Sequence, residues 1–141
     1  MIKKLIPLLL IGILLIGIGC IGNDDDEEDL DLDVDEIKGE VTIYYFWGEG
    51  CPVCEEKEPF IQQLKEHENI KVEKHELPGK PGLYEDIAEA YGLQEMEMGA
   101  VPATFIGEEY WVGYSEDIHR EEIRKIEECL ETGECINPKE K

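Results

Sequence analysis

FWGEGCPVCEEKEPF, residues 46–60, contains two cysteines, Cys51 and Cys54, that are separated by two residues. It follows the β-branched and aromatic run EVTIYYF, residues 40–46, which predicts a buried strand. Pro52 suits the first turn of a helix, because its missing N–H would be unpaired there in any case. The segment therefore predicts a strand, a short connection and a helix that begins at the cysteine pair. Such a pair is a redox dithiol, half of a metal site or a structural bridge.

The two cysteines are predicted to differ in reactivity. At a helix N-terminus, the thiolate of Cys51 would face unpaired N–H groups and the positive end of the helix dipole, which lower its pKa. Cys54 lies one turn further along, so we expect Cys51 to attack and Cys54 to resolve the mixed disulfide. Four acidic side chains crowd the pair and oppose this lowering of the pKa: Glu49, Glu55, Glu56 and Glu58. Because Pro52 and Val53 supply no positive charge, the pattern favours a reductant over a strong oxidant.

The chain beyond this segment predicts a small α/β domain. Pro59 lies inside the first helix and predicts a kink there. The remaining predicted elements are strands at residues 69–75, 103–106 and 110–114, and helices at residues 83–91 and between Ser115 and Gly133. The predicted order is β-α-β-α-β-β-α.

Several of these residues together resemble the thioredoxin superfamily. Trp47 lies four residues before the first cysteine, Pro59 five residues after the second, and Val101-Pro102 precedes a strand and a hairpin. The resemblance covers about residues 41–130 and implies an α/β, thioredoxin-like fold with a central mixed sheet flanked by helices. It also implies a thiol–disulfide oxidoreductase that needs no dissociable cofactor, in a domain spanning residues 37–136.

The resemblance also implies roles for residues around the dithiol. Pro102 would form a cis peptide bond beside it, and the backbone of Val101 would hydrogen bond to an extended substrate. Trp47 would shield the cysteines, and Pro52 would shape the site. Tyr45 stands where thioredoxin has a buried acid, so proton handling is expected to differ.

The second cysteine pair, Cys129 and Cys135, lies in the segment CLETGEC. Gly133 lets the chain turn back, so we expect a structural disulfide that fastens the helix end to the tail. The alternatives are a redox relay, or a metal site shared with Cys51 and Cys54. We expect no metal, because this second pair does not form a tight knuckle.

Residues 1–22 have the organisation of an export signal. Two lysines precede an apolar run over residues 5–18, and Gly19-Cys20 then resembles the lipidation site of a lipoprotein signal. The alternative is an uncleaved membrane helix, and both anchors place the following chain outside the cytoplasmic face.

The chain is strongly acidic, with 35 acidic and 13 basic residues and a formal net charge of −22. Such a charge repels nucleic acid and excludes it as a partner. Ten of the acids fall within residues 23–36, which predict a disordered spacer rather than a calcium loop.

These features predict an extracytoplasmic, membrane-tethered thiol–disulfide oxidoreductase, with reduction of exported protein disulfides favoured. Its expected partners are cysteine-containing exported proteins and a membrane electron carrier that resets the dithiol. The alternatives are a disulfide oxidase or isomerase, and a metal-binding or adaptor module without enzymatic activity.

Overall fold

A computed structural model describes residues 37–80 and 82–141. The predicted leader (residues 1–22), with Cys20, and the predicted spacer (residues 23–36) lie outside the described residues. The strands are β1 (Val41–Gly48), β2 (Ile70–Leu77), β3 (Ala103–Ile106) and β4 (Glu109–Val112). The helices are α1 (Pro52–Glu66), α2 (Leu83–Tyr91), α3 (Glu116–Thr132) and a short 3-10 helix, Pro138–Glu140.

The four strands form one mixed sheet in the order β2-β1-β3-β4. β1 and β2 are parallel, from the Val41–Ile70 pair to the Gly48–Leu77 pair, whereas β3 is antiparallel to both β1 and β4. The predicted element order is confirmed. β1 and β2 both end about two residues later than predicted, because their parallel ladder continues as far as Gly48 and Leu77.

The hairpin strand β4 ends earlier than predicted, at Val112. Gly113 follows with a φ of +93°, a left-handed conformation that favours glycine and interrupts the strand. The Gly113 N–H donates to the carbonyl of Pro102 at 2.7 Å. The turn after β4 is thereby fastened to the segment before β3.

Alternating side chains build a core on each face of the sheet. Ile43 and Tyr45 of β1 pack with the buried faces of α1 and α3. Tyr44 and Phe46 point the other way and pack with α2. α1 continues through Pro59 without ending there. Among residues 37–80 and 82–141, no helix is long and apolar enough to span a membrane.

The C-terminal end of α3 is covalently fastened. The Ser115 hydroxyl caps the start of the helix, and Gly133 ends it with a φ of +68°. Cys129, which is fully buried, forms a disulfide with Cys135. Pro138 is also buried, so packing continues past the predicted domain boundary at residue 136.

Candidate active site

Cys51 and Cys54 lie at the N-terminus of α1 and form a disulfide with a Cα–Cα distance of 5.2 Å. Cys51 is the residue that caps the helix, and its sulfur accepts a hydrogen bond from the Cys54 backbone N–H at 3.1 Å. Cys51 is half-buried, whereas only 4% of Cys54 is exposed. The helix start therefore presents one accessible sulfur and one covered sulfur.

The segment before β3 lies beside this pair. The Cys51 Sγ is 3.8 Å from the Val101 carbonyl oxygen, and the Val101–Pro102 peptide bond is cis. Pro102 is buried, while Val101 is partly exposed. The backbone of Val101 therefore lies directly beside Cys51, in a segment that is partly exposed.

Trp47 packs against the dithiol and the core. Together with Cys51 and Cys54 it lines a cavity of about 280 Å³. The ammonium group of Lys74 lies 4.9 Å from the centre of the Trp47 ring, within the range of a cation–π contact. Trp47 thus lies on the core side of the cavity that the two cysteines also line, and Pro52 occupies the exposed first position of α1.

The charge around the dithiol is less negative than the sequence suggests. Lys74 bridges to the carboxylate of Glu58 at 2.6 Å. Desolvation raises the pKa of Glu58, but hydrogen bonds from Lys74 and Gln62 outweigh it and hold this pKa below its ordinary value. Glu58 is therefore compensated by a cation from β2, which its position in the sequence did not reveal.

A buried ion pair lies further along the same face of α1. The Nζ of Lys57 is 2.5 Å from Glu122 Oε1 and 2.6 Å from the Thr104 hydroxyl, and both charged side chains are 0% exposed. Lys57 also lies 5.6 Å from the centre of the Tyr45 ring. Within the described residues, the Tyr45 hydroxyl and Glu122 Oε2 are buried without a hydrogen-bond partner. Burial lowers the pKa of Lys57, and Glu122 opposes that shift.

Our sequence reasoning missed this pair, although its signal was present. Lys57 follows Cys54 by three residues and falls on the stripe that α1 buries. Glu122 lies four residues before Ile126 on the buried stripe of α3. A charged residue on the apolar face of a helix needs a partner of opposite charge. Here Lys57 of α1 and Glu122 of α3 are partners of one another.

The two close cysteine pairs are not combined into one four-cysteine cluster in the structure. Each close pair is closed by its own disulfide, Cys51–Cys54 and Cys129–Cys135. Across residues 37–80 and 82–141, no group of three or more His, Cys, Asp or Glu side chains is arranged to hold a metal ion.

The chain was compared with known families, curated proteins and solved structures. No family model and no curated protein matches it. Oxidised mitochondrial thioredoxin 3 from Saccharomyces cerevisiae is similar at 17% identity and a TM-score of 0.42, over 62% of this chain and 80% of that chain. A mutant thioredoxin from Halobacterium salinarum is similar at 26% identity and a TM-score of 0.43, over 62% of this chain and 75% of that chain. StoA from Bacillus subtilis is similar at 20% identity and a TM-score of 0.39, over 62% of this chain and 84% of that chain.

The observed architecture is an α/β fold, with a mixed sheet between helices and a cysteine pair where β1 leads into α1. This is the architecture that the resemblance to the thioredoxin superfamily implied. A disulfide between a partly exposed and a buried cysteine, at a helix N-terminus, has the geometry for thiol–disulfide exchange.

Proposed function

We propose that this protein is a thiol–disulfide oxidoreductase that reduces disulfides of exported proteins. The observation that carries the proposal is the Cys51–Cys54 disulfide, with Cys51 capping α1 and lying 3.8 Å from the Val101 carbonyl. The helix N-terminus stabilises a thiolate at Cys51, and the accessible edge at Val101 receives an extended client.

The proposed reaction starts from the reduced dithiol. The Cys51 thiolate attacks one sulfur of a client disulfide, the client S–S bond breaks, and the other client sulfur leaves as a thiolate. The Cys54 thiolate then attacks Cys51 in the mixed disulfide and releases the second client thiol. Two electrons pass to the client, and the Cys51–Cys54 disulfide remains. A reduced dithiol carrier restores the dithiol by the same exchange in reverse.

The reductive direction rests on the surroundings of the Cys51 thiol. Pro52 and Val53 add no charge, and Glu49 and Glu55 are exposed nearby. These side chains limit how far the helix terminus lowers the thiol pKa, and a less acidic thiol favours the disulfide over the dithiol. Oxidase or isomerase activity is the alternative direction of the same chemistry.

The proposal also includes a tether at the outer face of a membrane. Its support is the export-signal pattern of residues 1–22, with Cys20 as the lipidated residue or with an uncleaved helix as the anchor. The Cys129–Cys135 disulfide is consistent with an oxidising compartment. If Cys20→Ser leaves both processing and membrane retention unchanged, the lipid anchor is wrong.

Insulin reduction in the presence of dithiothreitol tests the activity. We expect the wild type to accelerate insulin precipitation, Cys51→Ser to reduce the rate to background, and Cys54→Ser to accumulate mixed disulfides at Cys51. Val53→Ala is the matched control, because Val53 is an exposed residue of the same turn and its truncation leaves both sulfurs in place. Wild-type rates equal to those of Cys51→Ser would contradict the proposal, and bound zinc or iron after purification would favour a metal carrier.

A further inference from the structure

A large groove opens on the α2 side of the active site, where β1 and β2 end. Its volume is about 910 Å³, within the range of roughly 300–1,000 Å³ that is common for ligand sites. Leu77, Met98 and Val101 contribute apolar lining, and Glu49, Glu76 and Glu85 contribute carboxylates. We call this feature the acidic groove.

The acidic groove is continuous with the dithiol. Glu49 lines both the groove and the smaller cavity that contains Cys51 and Cys54. Val101 lines the groove, and its carbonyl oxygen is 3.8 Å from the Cys51 sulfur. A polypeptide whose sulfur reacts with Cys51 can therefore extend past Glu49 and Val101 into the groove.

All charged side chains among the described lining residues of the groove are acidic. Glu49, Glu76 and Glu85 are all exposed, and among the described lining residues there is no lysine, arginine or histidine. Glu85 also accepts a hydrogen bond from the Gly82 N–H at 3.1 Å, which holds its carboxylate at the start of α2. On the other side of the dithiol, by contrast, Lys74 compensates Glu58. The two flanks of the cysteine pair thus differ in electrostatic character.

We propose that the acidic groove selects clients in which a lysine or arginine lies close to the reacting cysteine, with an apolar neighbour. This inference rests on the proposed function and names the substrate class of that site. A cationic side chain in the groove is attracted by the carboxylates that line it, while its apolar neighbour contacts Leu77 and Met98. An acidic client segment is repelled by the same three charges.

The expected selectivity is modest for each charge and larger for the set. One exposed ion pair changes an equilibrium constant by about 1.5- to fivefold. The combined field of the three lining carboxylates should therefore give roughly a tenfold preference for a cationic segment at low ionic strength. The preference should fall as salt is added, because the screening length shrinks to about 3 Å at roughly 1 M salt.

Three disulfide peptides with one common core and lysine, glutamine or glutamate flanks test the proposal. The full-length chain, reduced and kept in detergent, is mixed with each peptide, and the second-order rate constant is measured. Each value is divided by the rate constant of dithiothreitol with the same peptide, which removes the intrinsic reactivity of the disulfide. We expect the normalised rates to follow lysine, glutamine, glutamate, with roughly a tenfold span between the lysine and glutamine peptides.

The variant E49Q/E76Q/E85Q should lose this preference. Because Glu49 also lines the cavity of the dithiol, each peptide rate of the variant is divided by its own rate with the uncharged hydroxyethyl disulfide. The matched control is E66Q/E68Q/E131Q, which removes three exposed charges outside the groove and should keep the preference. Equal normalised rates for the three peptides, or a preference that survives in E49Q/E76Q/E85Q, would overturn the inference and leave the proposed function intact. Inactivity towards every peptide and towards hydroxyethyl disulfide would overturn the proposed function, and the inference with it.

Discussion

Replacing Glu122 by glutamine should destabilise the protein strongly, because it removes the counter-ion of a buried ammonium group. The Nζ of Lys57 lies 2.5 Å from Glu122 Oε1, and neither side chain is exposed to solvent. The Thr104 hydroxyl, at 2.6 Å, is the other hydrogen-bond partner of this group. Without Glu122, a full positive charge would remain in the core with neutral partners only.

The size of the effect follows from this geometry. Breaking a buried ion pair by removing one partner costs about 3–5 kcal/mol. Because Thr104 stays in place, we expect a loss near the lower figure, about 3 kcal/mol, from a total of about 5–15 kcal/mol for a domain of this kind. Lys57→Met should cost a similar amount, since it leaves the Glu122 carboxylate buried alone. The double variant K57M/E122L should recover most of the loss, because an apolar pair needs no compensation.

The loss should also depend on pH. Desolvation lowers the pKa of Lys57, whereas the charge and hydrogen bond of Glu122 raise it. In Glu122→Gln both of these opposing effects are lost, so the folded-state pKa falls further below the unfolded value of about 10.4. Between these two values the unfolded chain binds the additional proton, and stability therefore rises with pH. The difference from the wild type should narrow as the pH rises towards the unfolded value of about 10.4.

Urea denaturation followed by far-UV circular dichroism, with both disulfides intact, measures these free energies for the wild type, both single variants and the double variant. Glu131→Gln, an exposed site at the end of the same helix, is the control and should change stability by less than about 0.5 kcal/mol. A loss below about 1 kcal/mol in Glu122→Gln, or single losses that simply add in the double variant, would refute the reasoning.

Three further outcomes are expected. Tyr45→Phe should be neutral or stabilise the protein by up to about 2 kcal/mol, because the Tyr45 hydroxyl is buried without a partner. Tyr91→Phe should cost about 1–3 kcal/mol, because it removes the hydrogen bond from the Tyr91 hydroxyl to the Gly107 carbonyl. Thermal unfolding measures both effects, and equal effects would contradict the hydrogen bonding described. Burial, with smaller contributions from Glu58 and Glu122, raises the pKa of Tyr45 to about 12. The stability that this group contributes below about pH 10 should therefore be lost as the pH rises towards 12. Denaturation measured across this range should show a smaller loss of stability in Tyr45→Phe than in the wild type. Replacing Cys129 and Cys135 by serine should cost about 2 kcal/mol and leave insulin reduction unchanged; lost reduction in a folded variant would instead indicate a redox relay.

The order of elements was predictable because local patterns determine it. The alternating and β-branched residues of the strands, the proline after Cys51 and the glycine that ends α3 each act within a few residues. The boundaries of β1 were not predictable from that pattern, since the ladder between Gly48 and Leu77 depends on a strand nearly 30 residues away. The β-propensity of the residues predicts that a strand exists, whereas hydrogen bonding to the neighbouring strand determines how long it is.

The candidate site was also predictable only where local patterns determine it. Cys51 and Cys54 follow from spacing and the helix start, whereas Lys57 and Glu122 are separated by 65 residues and meet only through the packing of α1 on α3. The compensation of Glu58 by a cation from β2 depends in the same way on tertiary structure. Helix periodicity can mark Lys57 and Glu122 as buried charges, but only tertiary packing determines that they pair with each other.

The reduction potential of the Cys51–Cys54 pair determines whether this protein can act as a reductant. The protein is equilibrated in dithiothreitol buffers of graded composition, thiols are alkylated, and the reduced fraction of this pair is measured by mass, with Cys129 and Cys135 replaced by serine. A reductase requires a value near that of thioredoxin, about −270 mV. A value near about −120 mV would indicate an oxidant, and one well below about −300 mV a structural disulfide; either would contradict the account.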